Sequence, residues 1–104
     1  MEDREREQKE YEFNRVAGEL RSIYMLKNQD YGDSFVKGME EFGKISFTVR
    51  ASDKMERIKQ LSQAEAVVKD ESFRDTLRDL ANYCIMYLMW DNTKEDEKSS
   101  DDTS

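Results

Sequence analysis

With 104 residues, of which 37% are apolar and 39% charged, the chain is one domain whose monomer would bury little surface, so we expect a homo-oligomer. The net charge of −7 argues against binding to duplex DNA or to an anionic membrane, and the lack of a long apolar run or signal peptide predicts a cytoplasmic protein. The absence of histidine excludes histidine catalysis and, with a single cysteine, the usual zinc sites, so a bound metal would be a hard cation held by oxygen atoms.

The composition predicts an all-α fold, because the chain has no proline, only four glycines and long runs of residues that favour helices. The first helix is predicted from Glu2 to about Gln29, with an apolar line that begins at Phe13. Lys27 lies at the end of this line. Its ammonium either extends to solvent along the helix or points into a pocket.

A turn is predicted at residues 28–34, because Gly32 can take the left-handed conformation that ends a helix and the polar residues after it can cap the next one. Asp30 and Tyr31 lie in this turn. An aromatic ring flanked by acids in a turn can stack on a nucleobase, so these two residues are candidates for a nucleotide site.

A short or kinked helix is predicted for residues 35–42, followed by a longer helix that ends near Gln63. Three cations recur beside the apolar line of the longer helix: Arg50, Lys54 and Arg57. One interpretation is a solvated ridge paired with Asp53 and Glu56. The other is a set of cations for phosphate oxygens, because a guanidinium binds two oxygens at once and lysine supplies a point charge.

The last helix, from about Val68 to Trp90, has two different sides. The residues of one face are predicted to pack in the core: Phe73, Leu77, Leu80, Ala81, Cys84 and Leu88. Polar side chains lie nearly opposite: Glu71, Asp75, Asp79 and Asn82. These acids either face solvent or, since carboxylates one turn apart repel one another, surround a cation at the mouth of a cleft.

The residues after Asp91 have a different composition from the rest of the chain. Residues 92–104 contain Lys, Glu, Asp, Asn, Ser and Thr and no apolar side chain. Burial of apolar surface therefore cannot offset the entropy of ordering them. We predict a helical domain at residues 1–91 and a disordered acidic tail at residues 92–104.

Four segments of the chain resemble the nucleotide modification associated domain family: KNQDYGDSF (27–35), EEFG (40–43), RASDKMERI (50–58) and DESFRDTLRDLANY (70–83). The last segment is the most specific. This family is common in phages and is similar to the all-α nucleotide pyrophosphohydrolases of the MazG type. The resemblance implies a compact, MazG-like bundle of about four helices that assembles as a dimer or tetramer.

The resemblance also implies a magnesium site. In MazG-type enzymes, E-x-x-E and E-x-x-D motifs hold magnesium while a nucleoside triphosphate is split into a monophosphate and pyrophosphate. The first motif keeps Glu41 here but has Lys44 in place of its second acid. The second keeps Asp79 but has Thr76 in place of its first acid, with Asp75 one residue earlier. Glu41, Asp75 and Asp79 would then ligate one ion, since magnesium needs few protein carboxylates.

The resemblance leads to two hypotheses about function, one for an enzyme and one for a protein that binds a nucleotide without catalysis. In the first, the protein is a magnesium-dependent nucleoside triphosphate pyrophosphohydrolase, encoded by a phage, in which Glu71 and Asp53 supply the missing ligands or the base that activates water. The nucleotide would contact these side chains: Lys27, Asp30, Tyr31, Arg50, Lys54, Arg57, Asn82 and Tyr83. In the second, the altered motif means that the same pocket binds a nucleotide without cleaving it, and the protein sequesters a signalling nucleotide used in antiphage defence.

A third hypothesis is a helical oligomer that inhibits another protein. Clusters of aromatic residues and methionine favour interfaces. Such a cluster lies near the end of the last helix: Met86, Tyr87, Met89 and Trp90.

Overall fold

The computed structural model describes the backbone of residues 2–63 and 67–102, and the side chains of these residues except 28–32, 67–70 and 99–102. The described residues form α1 (Glu2–Phe42), α2 (Lys44–Ser62) and α3 (Val67–Asp102), and they contain no strand. The all-α class predicted from composition is confirmed. Within the described ranges, no helix is long and apolar enough to span a bilayer.

A single residue, Gly43, separates α1 from α2. Its φ of 69° lies in the left-handed region, which glycine adopts without steric cost. The Gly43 amide donates to the Met39 carbonyl at 2.8 Å, and the Ser46 amide donates to the Gly43 carbonyl at 3.0 Å. The predicted boundary after Phe42 and the predicted end of the next helix near Gln63 are confirmed.

The turn predicted at residues 28–34 is wrong, because the backbone stays helical there and α1 is one helix of 41 residues. A glycine inside a helix costs only about 0.5–1 kcal/mol. The packing of aromatic side chains on both sides of Gly32 against the core offsets this cost. Tyr24 and Phe35 lie on the same face of an uninterrupted helix, and both contact the core.

The core lies where all three helices meet. Its fully buried apolar side chains among the described residues are Phe35, Met39 and Met86. Partly buried aromatic residues pack around them: Tyr24, Phe47, Tyr83, Tyr87 and Trp90. The rings of Phe47 and Tyr87 have centroids 5.1 Å apart and those of Phe35 and Tyr83 lie 6.3 Å apart, both tilted pairs. Ring pairs thus join α1 to α3 and α2 to α3.

The side of α3 that faces the core is not the predicted one. Leu77, Cys84 and Leu88 were expected in the core, but all three are exposed, Leu88 to 59%. Phe73, Leu80 and Ala81 are partly buried. The prediction is therefore wrong for the centre of this face, and we call Leu77, Cys84 and Leu88 the outer face of α3.

The opposite side of α3 is exposed at Glu71 and Asp75 but is buried at Thr76 and Asn82, because these polar groups have partners and the neighbouring rings are large. The Thr76 hydroxyl donates to the Ser72 carbonyl at 2.8 Å, and the Asn82 amide donates to the Leu20 carbonyl in α1 at 3.2 Å. Buried polar groups cost little when they are hydrogen-bonded in this way. The same side carries Tyr83 and Trp90, which bury more area than leucine or cysteine.

The molecule is more extended than the compact bundle that was expected. Its radius of gyration is 17.2 Å, against about 13 Å for a compact domain of this length. Its accessible surface is 8582 Å², against about 6,100 Å² for a compact monomer of this mass. Residues 2–19 of α1 account for part of the difference, because every one of their side chains is exposed.

Helix α3 continues to Asp102, whereas composition predicted disorder from Asn92. The turn after Trp90 has contacts of its own. The Lys94 ammonium lies 5.6 Å from the centroid of the Trp90 ring and 3.4 Å from the Glu97 carboxylate. The Thr93 hydroxyl donates to the Met89 carbonyl at 3.0 Å. These local contacts favour helix beyond the last apolar residue.

Candidate functional site

Cations of α2 meet α3 at the centre of the fold. The Lys54 ammonium lies 3.2 Å from the Asp79 carboxylate, and each side chain is 28% exposed. One turn earlier, the Arg50 guanidinium lies 5.8 Å from the centroid of the Tyr83 ring, a cation–π distance. We call Arg50 and Lys54, with their partners Asp79 and Tyr83, the cationic cluster.

Arg50 also ties the cluster to α1. Its Nη2 donates to the Ser34 carbonyl at 3.4 Å and to the Ser34 hydroxyl at 3.2 Å. Gly38, one turn after Ser34, leaves room for this approach, because a Cβ there would lie 2.5 Å from the Ser46 hydroxyl and 3.7 Å from Arg50 Nη2. The Arg50 guanidinium of α2 therefore contacts residues of both α1 and α3.

The three cations predicted to form a basic ridge on α2 have different environments in the structure. Arg50 and Lys54 are partly buried and bond to other helices, whereas Arg57 is exposed. The solvated interpretation predicted pairs along α2 with Asp53 and Glu56. Lys54 instead pairs across the fold with Asp79.

The structure does not bring the three implied magnesium ligands together. Asp79 pairs with Lys54, while Asp75 is 69% exposed and pairs with Arg78 at 3.0 Å. Glu41 is exposed in the last turn of α1. Across the part of the chain that is described, no group of three or more acidic, cysteine or histidine side chains is placed to hold a metal.

The residues present do not fit a resident magnesium ion in this conformation. Magnesium needs near-octahedral oxygen ligands, and it usually takes one or two protein carboxylates beside phosphate and water. The strongest candidate ligand, Asp79, already has the Lys54 ammonium as its counter-ion at 3.2 Å. A metal would have to displace that ammonium before it could bind the same carboxylate oxygen.

Glu71 and Asp53, which were predicted to supply the missing metal ligands or the base that activates water, are both exposed. Within the described residues, neither carboxylate has a hydrogen bond or ion pair. Glu71 borders a polar surface depression that also includes Arg74 and Arg78. Arg78 Nε donates to the Glu19 carboxylate at 2.7 Å, so this region joins α3 to α1. No described contact assigns Glu71 or Asp53 to the activation of water.

The residues predicted for the base and sugar of a nucleotide are scattered. Lys27 is exposed, and the side chains of Asp30 and Tyr31 lie outside the described residues. Asn82 is 1% exposed and donates its amide to α1, so in this position it joins two helices. Of the described members of this set, Tyr83 is the one next to a predicted phosphate-binding cation.

Sequence reasoning missed the contribution of α1 to the cluster. The predicted turn counted Ser34 among the polar residues after Gly32 that can cap a helix, and Gly38 had no part in the predicted site. A usable signal was present: two small residues one turn apart on a helix allow another helix to approach closely. The signal was hidden because the predicted turn placed Ser34 at a helix end.

Comparisons with known proteins add one finding. The family model described as nucleotide modification associated domain 1 matches residues 27–90, which is more than half of the chain. Comparison with curated proteins and with solved structures gives no significant match. The matched range contains every member of the cationic cluster.

Proposed function

The chain belongs to the nucleotide modification associated domain 1 family, and from this premise we propose that it binds a nucleotide through its phosphates at the cationic cluster, without a magnesium ion. The family supports a nucleotide-related role. One observation carries the rest: the Lys54 ammonium lies 3.2 Å from Asp79, where the family resemblance implies a metal ligand. A protein cation thus takes the place that a metal cation would have.

Arg50 is suited to phosphate because its orientation is already fixed. Two long hydrogen bonds to Ser34, at 3.2 and 3.4 Å, and the ring of Tyr83 hold the guanidinium. A planar guanidinium can donate to two phosphate oxygens at once. When a phosphate replaces the serine oxygens, the Tyr83 ring still contacts the guanidinium and limits the rotamer entropy that is lost.

Lys54 supplies a second positive charge one turn away. Its pair with Asp79 is partly exposed, and such pairs contribute only about 0.2–1 kcal/mol, so a phosphate can share or displace the carboxylate at small cost. Arg57, exposed one turn further along α2, extends the positive surface toward solvent. A chain of phosphates would then lie along α2.

The binding experiment is equilibrium dialysis with ribonucleotides, deoxyribonucleotides and cyclic nucleotides in the presence of a chelator. Arg50→Ala is expected to weaken binding of the preferred nucleotide about tenfold or more, because a charged hydrogen bond is lost. Lys59→Ala, an exposed cation on the same helix, is the matched control and should retain affinity. Equal losses in both variants, or full affinity in Arg50→Ala, would contradict the proposal.

This mode of binding supports the sequestration hypothesis, in which a signalling nucleotide is held intact and host antiphage defence is countered. Hydrolysis requires an activated water and neutralisation of the departing phosphate. The proposal assigns the second task to Arg50 and Lys54 and no residue to the first. The bound nucleotide should therefore be recovered without chemical change.

Magnesium-dependent pyrophosphohydrolysis is the second candidate, and one observation favours it. Glu71 and Asp75 are exposed one turn apart on α3, where an ion carried by a nucleotide can reach them if Asp75 releases Arg78. This function requires Lys54 to leave Asp79. Its test is the appearance of a monophosphate and pyrophosphate from a triphosphate in magnesium but not in chelator.

We also propose that the chain self-associates. The surface of one chain exceeds that of a compact monomer by about 2,400 Å², and the exposed residues 2–19 account for only part of this excess. Large apolar side chains lie on that surface, including Leu26 of α1 at 87% exposure and Leu88 of α3. A second copy that covers these side chains would supply the core that one chain lacks.

A further inference from the structure

A cavity of about 220 Å³ lies between α1 and the end of α3. Its floor is formed by the buried side chains Phe35 and Met86, and its sides include Tyr24 and Trp90. Its rim carries charged groups: Glu40, Lys94 and Glu97. Because the floor is buried and the rim is exposed, the cavity opens to solvent on the charged side. We call it the Trp90 cavity.

The Trp90 cavity is separate from the cationic cluster. Gly38 faces Ser46 and Arg50, Met39 is buried in the core, and Glu40 borders the cavity. Successive residues of a helix point about 100° apart, so Gly38 and Glu40 face nearly opposite sides of α1. The core therefore lies between the two sites, and a ligand in one does not touch the other.

Trp90 provides an unused hydrogen-bond donor at this cavity. Its Nε1 atom is buried and has no acceptor among the described residues. A buried donor without a partner is destabilising, so an acceptor that reaches it is favoured. Trp90 is also one of the residues that line the cavity.

The rim determines the charge of the ligand. Lys94 pairs with Glu97 at 3.4 Å, whereas Glu40 has no ion pair or hydrogen bond within the described part of the chain. Two carboxylates and one ammonium give the rim a net negative charge, which disfavours phosphate. The unpaired Glu40 carboxylate only accepts hydrogen bonds, so it favours a ligand that carries a donor.

We infer that the Trp90 cavity binds a neutral, planar heteroaromatic ring that carries an amino group, of the class of an adenine or cytosine ring without phosphate. The ring would pack against Trp90 and Phe35, its amino group would donate to Glu40, and a ring nitrogen or carbonyl would accept from the indole N–H. A volume of about 220 Å³ suits one ring system, since sites for larger ligands start at about 300 Å³, and a sugar attached to the ring would lie outside the cavity. This inference is independent of the proposed phosphate site.

Tryptophan fluorescence tests ligand binding in the Trp90 cavity directly, because Trp90 is the single tryptophan of the chain. The probes are adenosine and cytidine, with inosine and uridine as analogues that carry an oxygen in place of the amino group. We expect a saturable change in Trp90 emission with the amino nucleosides and about tenfold weaker binding, or more, with the oxo analogues. Calorimetric titration checks the affinities without an optical signal. No saturable binding of either amino nucleoside would overturn the inference.

Variants separate the site from general charge effects. Glu40→Ala is expected to weaken adenosine or cytidine binding about tenfold, because it removes the acceptor. Glu95→Ala removes the same charge from an exposed position that does not line the cavity, and it should bind as the unmodified chain does. Inorganic triphosphate, which would occupy the cationic cluster, should not compete. Full affinity in Glu40→Ala, equal loss in Glu95→Ala, or competition by triphosphate would overturn the inference.

Discussion

Replacing either partner of the pair between Lys54 and Asp79 should destabilise the fold, and the two effects should not add. The atoms lie 3.2 Å apart and each side chain is 28% exposed, so the pair is neither fully exposed nor buried. Exposed pairs contribute about 0.2–1 kcal/mol, and removing one partner of a fully buried pair costs about 3–5 kcal/mol. Allowing for solvent screening, we expect about 1 kcal/mol of coupling between Lys54→Met and Asp79→Asn.

The assay is a double-mutant cycle of urea unfolding at one fixed protein concentration, since self-association would otherwise shift the midpoints. A loss of about 1 kcal/mol corresponds to a fall in melting temperature of about 4–8 °C for a domain of this size. Lys59→Met, exposed on the same helix, is the control and should leave stability unchanged. A coupling energy near zero, or a gain of stability in Asp79→Asn, would refute the reasoning.

Three further predictions concern the fold and its surface. Asn82→Ala removes a fully buried amide that donates to the Leu20 carbonyl, and a loss of about 1–3 kcal/mol in the free energy of unfolding is expected; an unchanged urea midpoint would contradict this. Replacing glycine by alanine inside a helix typically raises the free energy of unfolding by roughly 1 kcal/mol, but Gly38→Ala should raise it by less, because the new Cβ would lie 2.5 Å from the Ser46 hydroxyl. In a Ser46→Ala background, which removes that hydroxyl, Gly38→Ala should give the full gain in thermal unfolding. Leu88→Asp, on the outer face of α3, should lower the molar mass seen by light scattering to that of a monomer, whereas the exposed Asn92→Asp should not; a monomer before any substitution would refute self-association.

The fold class, the break at Gly43 and the end of α2 could be predicted because they depend on local properties of the sequence. The lack of proline and the scarcity of glycine predict helices, and Gly43 ends α1 because its conformation is accessible to few other residues. The continuity of α1 through Gly32 could not be predicted in the same way. It depends on the packing of Tyr24 and Phe35 against one core, which is a tertiary effect.

The buried side of α3 was mispredicted for a physical reason. Counting apolar residues favours the face with Leu77 and Leu88, but burial also depends on which side chains can fill the space between helices. Rings such as Tyr83 bury more area, and Asn82 is buried because α1 offers an acceptor for its amide. Neither condition is visible within the segment that forms α3.

The candidate site, too, depends on contacts between helices that spacing within one helix does not reveal. Spacing along α3 indicates that Asp75 and Asp79 share one side, and spacing along α2 indicates that Arg50 and Lys54 share another. No pattern within either segment indicates that Lys54 meets Asp79 rather than a metal. That pairing depends on how two helices are placed, which spacing within a single helix does not determine.

The central claim is that a nucleotide is bound by protein cations and is not cleaved. The most direct measurement incubates the pure protein with a nucleotide panel in magnesium or in chelator, separates protein from free ligand, and identifies the nucleotides before and after heat denaturation. We expect one nucleotide to leave the free pool even in chelator and to return intact on denaturation, and we expect Arg50→Ala to retain much less of it. Conversion of a triphosphate to its monophosphate and pyrophosphate, in magnesium alone, would show that the nucleotide is cleaved rather than held.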